Sequence, residues 1–171
     1  VGTNSLISRR LGQGKECEAN NVAEHVFLLA FVYALVIGVI GAIFYKDIVR
    51  IFTDDPELIK LSGTYIRIIM IGSGAMFIPM ITNNILRGEG NTFLPMLTLI
   101  IGAVINIGID PLLIYGLGPF PELGVAGAAY ATVFARLASG IFIVVVLLKG
   151  DHQIKLRLKD FTYSGQIIKD V

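Results

Sequence analysis

Asn106 and Asp110 stand one helical turn apart, so on a helix both side chains project from one face. Asp110 follows a long run, 93–109, that contains no charged residue. An ionisable group inside a bilayer costs about 3 kcal/mol or more, so it is expected to line a cavity or hold a partner. Pro111 comes next and has no backbone N–H, so the carbonyl of Ile107 loses its usual helical partner. A carboxylate, an amide and a freed carbonyl can then converge on one point. Hard cations such as Na⁺ take oxygen ligands, and a desolvated carboxylate favours its proton-bearing form. The chemistry suggested at Asp110 and Asn106 is H⁺ or Na⁺ binding. In the competing reading, Asp110 sits about one turn from the segment's end and caps or snorkels at the water boundary.

A second polar cluster, Thr82-Asn83-Asn84, interrupts another apolar stretch, with Pro79 and the run Gly72, Ser73 and Gly74 making that helix easy to bend. At least one of these amides should face the bundle or a cavity, and the functional reading sets Asn83 across the cavity from Asp110. The competing reading is helix–helix hydrogen bonding. A third stretch carries a small-residue stripe from Gly124 to Thr132, which suits close helix packing, with Thr132 able to offer a hydroxyl. Arg136 lies deeper in the same stretch; a lone lipid-facing arginine is improbable, so a bundle partner is expected. His25, at the start of the first full span, reads as an interfacial residue. Gly-rich phosphate loops, paired catalytic carboxylates and serine–histidine nucleophile pairs are not found, which points away from an enzyme.

The elements that must carry these residues are membrane helices. Of 171 residues, 54% are hydrophobic and only 16% charged, against about 25% charged in soluble domains, and mean hydropathy is +0.75. The net charge of +1 argues against a nucleic-acid partner. The one cysteine, Cys17, has no internal disulfide partner and no zinc-ligand neighbours. Segments 26–45, 68–86, 93–115 and 123–148 meet the length of about 17–25 apolar residues needed to span. Short connections at 46–67, 88–92 and 116–121 imply antiparallel neighbours, with Pro56 in a first helical turn and Asp54 or Asp55 as its cap. Residues 13–25 read as a loop, and 149–171 as a basic linker that lies on the inner leaflet. The Lys/Arg bias places 13–25, 88–92 and 149–171 in the cytoplasm and Asp110 in the outer half of its helix. The opening residues 1–12 read as the end of a helix, and the chain as a fragment.

Three stretches in order, Asn83-Asn84-Ile85-Leu86-Arg87-Gly88-Glu89-Gly90-Asn91-Thr92, Asn106-Ile107-Gly108-Ile109-Asp110-Pro111 and Gly124-Val125-Ala126-Gly127-Ala128-Ala129-Tyr130-Ala131-Thr132, resemble the multidrug and toxic compound extrusion (MATE) transporters. The opening Asn4-Ser5-Leu6-Ile7-Ser8-Arg9-Arg10-Leu11-Gly12 is similar to the end of that family's second helix. The resemblance implies an all-α membrane protein: part of the six-helix N-lobe of a twelve-helix fold. Residues 1–12 would end helix 2, the four spans would be helices 3 to 6, and 149–171 would lead toward helix 7. It implies a multi-pass plasma-membrane antiporter that exports organic cations or lipophilic drugs while H⁺ or Na⁺ enters, with the C-terminal lobe of the same full-length chain as partner. No cofactor beyond the coupling ion is implied. In the archaeal, DinF-like branch the N-lobe ion site falls on Asp110 and Asn106, with Asn83 from helix 4 and Thr132 from helix 6. A further helix-4 amide of that pattern falls near Met80 and is lost here or replaced by Asn84, and a helix-1 carboxylate lies outside the chain. Two alternatives remain: a flippase of the same superfamily for a lipid-linked oligosaccharide, and a structural helix bundle without transport activity.

Overall fold

The structure is a computed structural model that describes residues 2–149; the expected basic linker lies almost wholly outside them. Six helices make up the described residues: α1 (Gly2–Gly12), α2 (Glu16–Arg50), α3 (Pro56–Ile71), α4 (Ser73–Gly88), α5 (Phe93–Tyr115) and α6 (Val125–Lys149). α6 is the hub, packing against α3, α4 and α5, while α2 covers α3, α4 and α1.

Segment 13–25 is not the loop its charges suggested. α2 begins at Glu16 and continues through Arg50, 35 residues, or roughly 52 Å at ~1.5 Å per residue. Its first turns bury Ala19, Val22, Ala23, Val26 and Ala30, a stripe with helical spacing that glutamates and asparagines dilute in any average of hydropathy. The stripe meets Ile7 of α1 and Ile85 of α4 in one apolar cluster. Arg10 and Lys15 both reach Glu18, at 2.8 and 2.9 Å, closing the turn between α1 and α2. His25, expected at the interface, is instead 1% exposed, with Nδ1 2.8 Å from the Asn21 carbonyl. Ordered helix also takes up most of the connection expected at 46–67, because α2 runs on to Arg50 and α3 starts at Pro56. Asp55 caps α3, its carboxylate accepting from the Glu57 N–H at 2.9 Å.

The expected span 68–86 is not one straight helix. α3 and α4 meet at Gly72 with a bend of 48°. A Cβ on Gly72 would lie 2.5 Å from a Val133 methyl, so α6 presses against the break where only hydrogen fits. On the other side the Ser73 hydroxyl donates to the Ala34 carbonyl of α2 at 3.0 Å. Three described helices are long and apolar enough to cross a membrane, or four if the bent pair is one span.

In the 88–92 turn only Gly90 takes a left-handed conformation, φ 87°; Gly88 is helical and small because Ile7 packs on it. Gly116 ends α5 at φ 66°, and the Leu117 N–H returns to the Leu112 carbonyl.

Candidate functional site

Two pairs of close approaches set the register of the helices that carry the polar residues. Gly72 lies against Val133 and Gly140 against Pro79, the same interval further along both chains, so α4 and α6 run parallel. Gly102 faces Ser139, and Gly127 abuts the Leu113 carbonyl, so α5 and α6 run antiparallel. By that register Thr132 stands level with the turn between Asn106 and Asp110.

A cavity of about 440 Å³ opens between α4, α5 and α6. α4 lines it with Asn83, Asn84 and Arg87, α6 with Thr132, Arg136 and Ser139, and α5 with Thr98. Its apolar side is Met76, Pro79, Met80 and Leu99. The structure thus brings Asn83 and Thr132 to one cavity, but Asn106 and Asp110 are not among its lining residues. Beside Gly102, Ser139 and the Ala135 carbonyl leave no open space.

Local hydrogen bonding shows what each group has left to offer. The Thr132 hydroxyl donates to the Ala128 carbonyl at 2.9 Å, Thr98 to Leu94 at 2.9 Å and Ser139 to Arg136 at 3.1 Å. Each has given up its only proton, so toward a ligand it can only accept. Asp110 Oδ1, Asn106 Nδ2 and Asn83 Oδ1 are buried without a hydrogen-bond partner. A buried polar atom left unpaired is costly, and two of these three are oxygens suited to a proton or a hard cation. A half-turn of the Asn106 amide presents oxygen in place of nitrogen. Among the described residues no cluster of three His, Cys, Asp or Glu side chains is placed to hold a transition metal.

Sequence reasoning did not bring Arg87 and Arg136 together. Both line the cavity, and no carboxylate does. The signal was present as helical spacing, since Asn83 and Arg87 share a face of α4 while Thr132 and Arg136 share a face of α6. None of the ion pairs seen among the described residues, which include Arg10–Glu18, Lys15–Glu18 and Arg50–Asp47, supplies the partner expected for Arg136.

Comparison with known proteins agrees with this architecture. The chain is 35% identical over 154 residues to the probable multidrug resistance protein YoeA of Bacillus subtilis, covering 90% of this chain and 33% of that protein. It is 30% identical over 139 residues to a Shewanella oneidensis protein named FAD transporter, covering 81% of this chain and 31% of the relative. An inward-facing structure of a multidrug resistance MATE family transporter of the MOP superfamily superposes with a TM-score of 0.92 at 34% identity, over 99% of this chain and 38% of that one. The chain therefore spans about a third of the length of the relatives it matches. The MatE family model matches residues 1–112. With the match covering well over half its residues, the chain belongs to the MatE family of multi-pass membrane transporters.

Proposed function

We propose that this chain forms N-lobe helices of a secondary antiporter that exports organic cations or lipophilic drugs while H⁺ or Na⁺ enters. The observation that carries the reading is the buried, unpartnered Asp110 Oδ1 one turn from the unpartnered Asn106 amide, on a helix long and apolar enough to cross a membrane. Asp110 holds the coupling ion, Asn106 supplies an amide oxygen, and Thr132 supplies an acceptor-only hydroxyl. Asn83, about 18 Å along the axis from Thr132 by the register of α4 and α6, faces the same cavity at another depth. The adjacent Asn and Asp of α5 also favour the archaeal, DinF-like branch. Arg9, Arg10 and Lys15 around the 13–15 turn and Arg87 beside the 88–92 turn put those ends in the cytoplasm of a plasma-membrane protein. The C-terminal lobe of the full-length protein supplies the rest of the cavity wall.

Ion entry acts by binding one conformation more tightly than the other, since equal affinity would shift nothing. The break at Gly72 gives the lobe a place to bend. Loading proteoliposomes of the full-length protein with ethidium and imposing a Na⁺ or an H⁺ gradient tests the reading. One gradient should drive efflux, and Asp110→Asn should lower the driven rate at least about tenfold. Driven efflux that persists unchanged in Asp110→Asn would refute it. The names of the relatives span multidrug resistance and FAD transport.

A further inference from the structure

The cavity between α4, α5 and α6 has the wrong polarity for a site that takes only cations. Its charged lining is Arg87 and Arg136, without a carboxylate. Its hydroxyls have donated their protons to backbone carbonyls. The N–H donors left are the two guanidiniums and the amides of Asn83 and Asn84, and such a donor set matches anionic oxygens.

Arg136 lies at the middle of α6, where a charge is tolerated only toward a cavity or a partner. Its neighbours one turn away on either side, Thr132 and Ser139, line the same cavity, so its face is the cavity face. The parallel register of α4 and α6 puts Arg136 level with Ala75 and Arg87 roughly 18 Å further along the axis, about twelve residues at ~1.5 Å each. The arginines therefore mark two depths of one elongated cavity, Arg87 at the α4 end and Arg136 at mid-helix. The Met76, Pro79, Met80 and Leu99 wall between those depths is apolar.

We propose that this cavity binds an anionic oxygen group, a phosphate or carboxylate, borne by an apolar-bodied substrate, with Arg136 as its inner binding residue and Arg87 at its mouth. In naming a transported substrate the proposal rests on the antiport reading. A cation on Asp110 and an anion at Arg136 are compatible, because Asp110 does not line this cavity.

The matched probes are riboflavin and riboflavin 5′-phosphate, which share a ring body and differ by one phosphate. Both are titrated by flavin fluorescence into the full-length protein in phosphatidylcholine nanodiscs. The phosphate ester should bind at least about tenfold more tightly. Arg136→Gln should erase that preference and Arg136→Lys restore part of it, with an unchanged melting temperature of each variant as the check on folding. Equal or absent binding of the two probes by the wild type overturns the proposal without any variant, as does a preference that survives Arg136→Gln. A carboxylate elsewhere in the protein that neutralises Arg136 gives the equal-affinity result. Replacing the lipid with phosphatidylglycerol separates the sources of the anion. Loss of flavin-phosphate binding assigns the site to a lipid headgroup and retention assigns it to a solute; both keep the anion site. Ion-driven ethidium efflux with equal flavin affinities overturns the anion site and leaves antiport standing. A phosphate preference that depends on Arg136, with no ion-driven efflux, does the reverse.

Discussion

Thr132 joins two groups that helix spacing alone could not connect. It lines the arginine-bearing cavity, and the antiparallel register of α5 and α6 sets it level with the turn between Asn106 and Asp110. Its hydroxyl donates to Ala128, so a cation nearby meets lone pairs and an anion meets no donor. Thr132→Ser keeps the back-bonded hydroxyl, whereas Thr132→Val keeps the shape and removes the oxygen. The ion concentration for half-maximal efflux should stay within about twofold in the serine variant and rise about tenfold in the valine variant, read in proteoliposomes across a Na⁺ or pH series. At this scale the sequence disclosed which residues share a face, such as Asn106 with Asp110 and Thr132 with Arg136. It could not disclose which faces meet, because the register between α4, α5 and α6 is set by Gly72, Gly102, Gly127 and Gly140, whose close approaches are visible only once folded. That is why Arg87 and Arg136 were not paired in advance.

Among the elements, the broken α3–α4 pair shows most plainly what pattern could convey. Gly72, Ser73 and Gly74 signalled an easy bend, yet the position of the break follows from tertiary contacts: Val133 on one side and the Ser73–Ala34 hydrogen bond on the other. Gly72→Val would force its methyls into Val133. Overpacking of this kind costs about 1–3 kcal/mol, so the variant in detergent should unfold several degrees below wild type, while Gly74→Ala, whose new methyl would meet only Ala34 at 3.8 Å, should stay close to it. Equal melting temperatures for Gly72→Val and wild type would count against a fixed break. The amino-terminal extension of α2 was obscured for a different reason. Its buried stripe has helical period, but Glu16, Glu18, Asn20, Asn21 and Glu24 give the segment the average polarity of a loop.

For the molecule as a whole, the outward surface is apolar along the long helices: Phe31, Ile43, Val104 and Ile107 are all more than 60% exposed. Such faces suit lipid or further helices of the transporter and would not stay monodisperse in water. Since the chain spans about a third of its relatives' length, the antiport reading expects the 171-residue chain expressed alone in a drug-sensitive strain to insert without conferring resistance, and the full-length protein to lower ethidium accumulation severalfold. Resistance from the chain alone would mean that these helices suffice.

The contact of Gly127 with the Leu113 carbonyl has a mechanical meaning. At that point the two helices touch backbone to backbone, so no side chain there can rotate or yield. α5 carries Asn106 and Asp110 and α6 carries Thr132 and Arg136, so the distance between the carboxylate-bearing and guanidinium-bearing helices is pinned at position 127. Any larger residue there would have to push the Leu113 carbonyl aside, acting as a shim driven between the two.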